Sequence, residues 1–113
     1  MGDRLGELET LVLVSLARCT TGAGSGATGT VVYRDLETRA GTAPSVAAIH
    51  VTLKRMEAKG LVRSTRGVPS PRGGRPQLHY ALTRPGAQAL QDAERLWRTV
   101  WRGAVIPDPD TLR

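Results

Sequence analysis

The stretch SVAAIHVTLKRMEAKGLV, Ser45 to Val62, decides the reading of this chain. It follows Pro44, opens on a serine suited to cap a helix, and repeats Ile49, Leu53 and Met56 at spacings of four and three. That period puts three apolar side chains on one face of a short helix, which Gly60 ends. If those three face a core, a step of 100° per residue sets Ala47, Val51 and Lys54 on the opposite side, with His50 and Arg55 on the flanks. The outward face is therefore small and basic.

Working back toward the N-terminus, Thr30 to Arg39 reads as a second helix with Val32 and Leu36 inward and Gly41 as its stop. Thr20 to Gly29, rich in Gly, Thr and Ala, reads as a flexible loop. Before it, Leu5, Leu8, Leu11, Val12 and Leu16 mark a helix from about 4 to 18, widened by Leu13, Val14 and Ala17. A helix apolar over so much of its circumference needs cover on two sides. One domain of this size covers one of them, and a second subunit can supply the other.

Toward the C-terminus, Leu61 to Arg66 and Gln77 to Leu82 read as two strands, with Leu78, Tyr80 and Leu82 alternating onto one face. The loop between them, Gly67 to Pro76, is too long for a tight hairpin and carries Arg72 and Arg75. Thr83 then caps a last helix running to about Arg102, with Pro85 in its first turn and Leu90, Ala93, Leu96, Trp97, Val100 and Trp101 along one broad face. The order helix, helix, helix, strand, strand, helix gives a mainly α, α+β class. It is a winged helix-turn-helix in which the third helix suits a major groove and the hairpin suits the backbone or minor groove. Residues 1–86 form this domain, 87–103 a C-terminal dimerisation helix packed with the first helix, and 104–113 a tail expected to be disordered.

Charge agrees with that assignment. The 113-residue chain has a formal net charge of +6. Residues 44–86 hold Lys54, Arg55, Lys59, Arg63, Arg66, Arg72, Arg75 and Arg84 against Glu57 alone, a balance of +7, while the flanking segments are −1 and zero. A localised basic segment is what contact with a polyanion such as double-stranded DNA requires, because each phosphate neutralised releases condensed counterions. Ser45, Ala47, His50, Val51, Lys54 and Arg55 are the candidate DNA contacts on the helix, and Arg72 and Arg75 those on the wing. Lys54 and Arg55 suit phosphates or guanine acceptors, and Ala47 or Val51 a thymine methyl. The wing arginines suit either a narrow minor groove or phosphates.

The sequence lacks the parts of an enzyme. Cys19 lies on an apolar helix as a packed thiol, and His50 and His79 sit on different elements with no cysteine or carboxylate at metal-ligand spacing. Gly22 to Gly26 is not followed by the Gly-Lys-Ser/Thr of a phosphate-binding loop. No catalytic residue, metal or cofactor is expected. A lone cysteine, acidic residues near the N-terminus and no long aliphatic run point to a soluble chain in a reducing cytoplasm, with no membrane partner.

Three motifs in order resemble the PadR family of transcriptional regulators. They are Leu5-Gly6-Glu7-Leu8-Glu9, the Ser45 to Val62 stretch, and Gly73-Gly74-Arg75-Pro76 leading to Tyr80, Leu82-Thr83 and Gly86. The likeness covers roughly residues 4 to 102. It implies a homodimer, repression of transcription, and in many members release by a small aromatic effector; Trp97 and Trp101 are the candidate pocket residues, or else packing residues of the subunit contact. This chain departs from the family at His50 and His79, which stand where tyrosines are common, and at Thr28 and Thr30, which stand where aromatics usually flank the glycine at 29. A non-specific architectural nucleic-acid-binding protein and a winged-helix protein-interaction module are the alternatives to a sequence-specific regulator.

Overall fold

The structure, a computed structural model, describes residues 4–20, 26–67 and 77–113. Four helices and a two-stranded sheet follow in the expected order: α1 (Glu7–Thr20), α2 (Gly29–Ala40), α3 (Val46–Ala58), β1 (Val62–Arg66), β2 (Leu78–Leu82) and α4 (Arg84–Trp101). The local signals account for the boundaries. Ser45 Oγ accepts from the Ala48 amide at 3.1 Å and caps α3, and Thr83 Oγ1 accepts from Gly86 N at 3.2 Å to cap α4. Gly41 closes α2 with φ 72°. Gly60, at φ 78°, closes α3 in a Schellman motif, with its own N–H on Glu57 O and the Leu61 N–H on Met56 O. At the other end of the chain, α1 opens on one half of a capping box, the Gly6 N–H donating to Glu9 Oε1 at 2.9 Å with no N-cap side chain to return the bond.

The core lies where α1, α2, α3 and the sheet converge. Val12, Leu13 and Leu16 of α1, Val32 and Leu36 of α2, and Ile49, Leu53 and Met56 of α3 are all buried, together with Val62 and Tyr80. The periodic positions predicted on α2 and α3 are those that face inward. On α1 the inward set is Val12, Leu13, Ser15 and Leu16, while Leu11 and Val14 of the same helix stay exposed. The apolar surface of α1 is therefore two-sided, and the described residues leave Leu11 and Val14 partly uncovered.

The strands pair antiparallel, with Val62 opposite Leu82, Ser64 opposite Tyr80 and Arg66 opposite Leu78. Strand β2 departs from simple alternation: Tyr80 is buried, Leu78 is exposed, and Ala81, on the other face, is buried as well. The reason lies in the segment expected to be a flexible loop. Its last residues are part of the fold, because Ala27 pairs with Tyr80 as a one-residue third strand, Ala27 N donating to Tyr80 O at 2.9 Å and Tyr80 N to Ala27 O at 2.8 Å. Ala27 and Thr28 are buried, and Thr28 Oγ1 accepts from Val31 N to cap α2. Strand β2 thus has a neighbour on each side over part of its length.

Helix α4 packs its first half across α1 and β2, with Gly86 buried against the Leu61 carbonyl. From Glu94 onward every residue is exposed. The molecule is correspondingly long, 58 × 33 × 25 Å. The tail leaves Gly103 at φ 79° and makes one 3-10 turn, Pro109–Thr111, capped by Asp108 and exposed throughout. Among the described residues no helix is long and apolar enough to cross a membrane.

Candidate nucleic-acid interface

Buried Ile49, Thr52, Leu53 and Met56 fix the orientation of α3. Its outward face is then Ala47, Val51, Lys54 and Ala58, all exposed, with Ser45 exposed at the N-terminal end. His50 and Arg55 are exposed on opposite flanks. The structure therefore brings six of the sequence-predicted contacts, Ser45, Ala47, His50, Val51, Lys54 and Arg55, onto one element. Arg72 and Arg75 lie outside the described residues.

The two flanks of α3 are held differently. His50 stands against the first residue of α2: a methyl group on Gly29 would lie 2.8 Å from His50 Cε1. On the same flank Ser64 of β1 donates to the Glu57 carboxylate, which ties the helix to the sheet and occupies the one acid of the basic segment. On the opposite flank Lys59 Nζ lies 3.0 Å from Glu9 Oε2. The Gly6 N–H on the carboxylate lowers the Glu9 pKa, against the effect of burial, and Lys59 and Arg55 lower it further. Arg55, exposed on that flank of α3, contributes the least of these.

A second ion-pair group fixes α2 to α1. Asp35 accepts from Arg18 of α1, with Arg18 Nε 3.3 Å from Oδ1, and from Arg39 Nε at 2.9 Å. The Arg18 guanidinium, chiefly, holds the Asp35 pKa down at about 2.

Two cations of the basic segment that were not among the expected contacts are exposed as well. Arg63 and Arg66 of β1 are both exposed, next in the chain to α3. Their odd spacing on a strand puts them on opposite faces of the hairpin, Arg63 opposite Ala81 and Arg66 opposite Leu78. The alternation rule, applied to the strand already predicted there, was the available signal. His79, half-buried on β2, lies against Gly67, where a methyl group would come within 2.9 Å of its Nε2.

Away from this surface, α1 and α4 border a groove of about 750 Å³ lined by Val14, Ala17, Leu90, Ala93 and Trp97 among others. Trp97 and Trp101 stack on each other one turn apart, ring centroids 6.3 Å apart and planes 23° from parallel. They are 59% and 48% exposed. Cys19 is half-buried, and burial raises its thiol pKa. Among the described residues no cluster of His, Cys, Asp or Glu is arranged to hold a metal ion.

No family profile matches the chain, and no curated protein is similar to it. Solved structures do match. A PadR family transcription regulator from hypervirulent Clostridium difficile superimposes with a TM-score of 0.70 at 22% identity, over 86% of this chain and 93% of that one. A PadR-like transcription factor from Bacteroides fragilis gives 0.68 at 22% identity, over 82% of each chain. A PadR family transcriptional regulator from Eggerthella lenta gives 0.66 at 23% identity, over 86% of this chain and 81% of that one. The winged helix built from α1 to β2, with the long helix α4 after it, is the fold of the PadR-family transcription regulators.

Proposed function

We infer that this chain is a sequence-specific DNA-binding transcriptional regulator, a homodimeric repressor of PadR type. The observation that carries this reading is the face of α3: small side chains and Lys54 stand exposed opposite a fully buried set, beside exposed Arg63 and Arg66 on the adjoining strand. A helix with that face fits a major groove, and the flanking cations fit the phosphates beside it. Residues 1–86 bind DNA. Residues 87–103 join two subunits, because Leu96, Trp97, Val100 and Trp101 of α4, with Leu11 and Val14 of α1, leave an apolar surface that a second copy would bury. Such a dimer sets its two recognition helices about 34 Å apart on a pseudo-palindrome.

The groove beside Trp97 favours a further element of this reading, release of DNA by a planar aromatic effector. Trp97 and Trp101, doubled by two-fold symmetry, would put four indoles near such a ligand. Titration with a panel of planar aromatics tests this element, which requires saturable quenching of indole emission together with weaker operator binding.

The central experiment is the ratio of specific to non-specific DNA affinity at one salt concentration. A regulator gives at least about 10³. A ratio near one leaves an architectural DNA-binding protein, and no DNA affinity at all leaves a protein-interaction module.

A further inference from the structure

We propose that Val51 reads the 5-methyl group of a thymine in each half-site, with Lys54 as the one polar base reader on the outward face of α3. The proposal rests on the DNA-binding reading above and deepens it. Its starting point is what the outward face lacks. Ala47, Val51, Lys54 and Ala58 are the exposed residues opposite the buried set, and Lys54 alone among them carries a hydrogen-bonding group. The two other polar groups lie on the flanks, His50 with its ring against Gly29 and Arg55 exposed on the opposite flank.

Val51 is 57% exposed, with Ala47 one turn before it. Ala47 and Ala58, the other small residues of that face, let the helix approach the floor of a groove, and the Val51 side chain is exposed to meet the bases. A β-branched side chain in a helix is confined nearly to one rotamer, so it presents its methyls without losing much conformational freedom. An apolar group pressed on a donor or acceptor of a base edge leaves that group without a partner, which is costly. The apolar feature of the major groove is the C5-methyl of thymine. Val51 therefore favours a T·A pair at its position and disfavours the three alternatives by stranding their polar edges.

The test uses the full-length protein and DNA alone. Binding sites are selected from a random duplex pool, and each thymine of the selected site is then replaced in turn by deoxyuridine, which differs only by the missing methyl. One thymine per half-site should weaken binding about fourfold on replacement, the value of one buried methyl-sized group, and about fifteenfold when both half-sites are changed. Val51→Ala, whose folding is checked by circular dichroism, should lose that sensitivity at the same thymine, and Lys54→Ala should keep it. The proposal is overturned if no thymine is sensitive, or if Val51→Ala protein remains as sensitive as the wild type. A pool that yields no preferred sequence overturns the regulator reading itself, and the two failures are told apart by whether a site is selected at all.

Discussion

The imidazole of His50 stands directly on the backbone of Gly29, so that α3 and the first turn of α2 touch through a ring and a residue with no side chain. Gly29 is buried there at the start of a helix, and His50 is exposed above it. Replacing Gly29 by Ala must push the ring outward, toward the groove face, while the helix itself gains a better former. Gly29→Ala is expected to change folding free energy by less than about 1 kcal/mol yet to weaken operator binding severalfold. Equal losses in stability and in binding, measured by urea unfolding and by fluorescence anisotropy, would contradict this.

Gly86 presents the opposite case. A methyl group on it would lie 2.0 Å from the Leu61 carbonyl oxygen, and backbone cannot swing aside as a ring can. Gly86→Ala should destabilise the fold by about 3 kcal/mol, the upper end of overpacking costs, by prying α4 from the start of β1. An unchanged urea midpoint would refute it.

Asp35 gives the fold an acid-sensitive joint. Its pKa is held at about 2, below its ordinary value, chiefly by Arg18. A depressed carboxylate pKa means stability that is complete above about pH 4 and lost as pH falls toward 2. Partial exposure of the pairs screens the effect, leaving about 1–2 kcal/mol at pH 7. Asp35→Asn should lose that amount at neutral pH and show a flatter stability curve between pH 4 and 2. A mutant curve parallel to the wild type through that window would remove the assignment.

Lys54 and the strand arginines should fail in different ways. Lys54→Ala is expected to cost about 1–3 kcal/mol at the preferred site and much less on unrelated DNA. Arg63→Ala and Arg66→Ala, and Arg72→Ala and Arg75→Ala in the sequence between the two strands, should weaken both alike and lower the salt slope by about one unit for each phosphate no longer neutralised. Arg55→Ala, on the flank of α3 and off its outward face, belongs with the second group. Identical behaviour of Lys54→Ala and Arg63→Ala would mean that α3 is docked in some other way.

How much of this was legible in the sequence follows the distance over which each signal acts. Ser45, Gly41, Gly60 and Thr83 act within one turn, and each was read as the cap or stop it is. The inward faces of α2 and α3 follow from a period that local geometry enforces. The Ala27–Tyr80 pairing was not legible, because a one-residue strand has no alternation and its partner lies far along the chain. The same pairing explains why Ala81 is buried against the simple pattern. The Lys59–Glu9 ion pair was likewise not legible, since a helical wheel gives direction and not the neighbour that waits there.

Trp97→Ala and Trp101→Ala should each raise the dimer dissociation constant at least about thirtyfold, as central aromatic residues of an interface do. Sedimentation equilibrium reads this directly. A wild-type chain that sediments as a monomer at micromolar concentration would dispose of the dimer.

Both tryptophans stand outside the core, and Tyr80 is inside it, at 1% exposure. Indole emission in this protein is consequently a gauge of what approaches α4, shifting to the blue as a neighbour excludes water from the rings. It reports less directly on the folding of the winged helix beneath, in whose core neither ring takes part. Far-ultraviolet circular dichroism follows the melting of the helices instead. Recorded together on one diluted sample, the two signals would separate the parting of subunits from the collapse of each one, two events that a single optical trace of most small proteins merges.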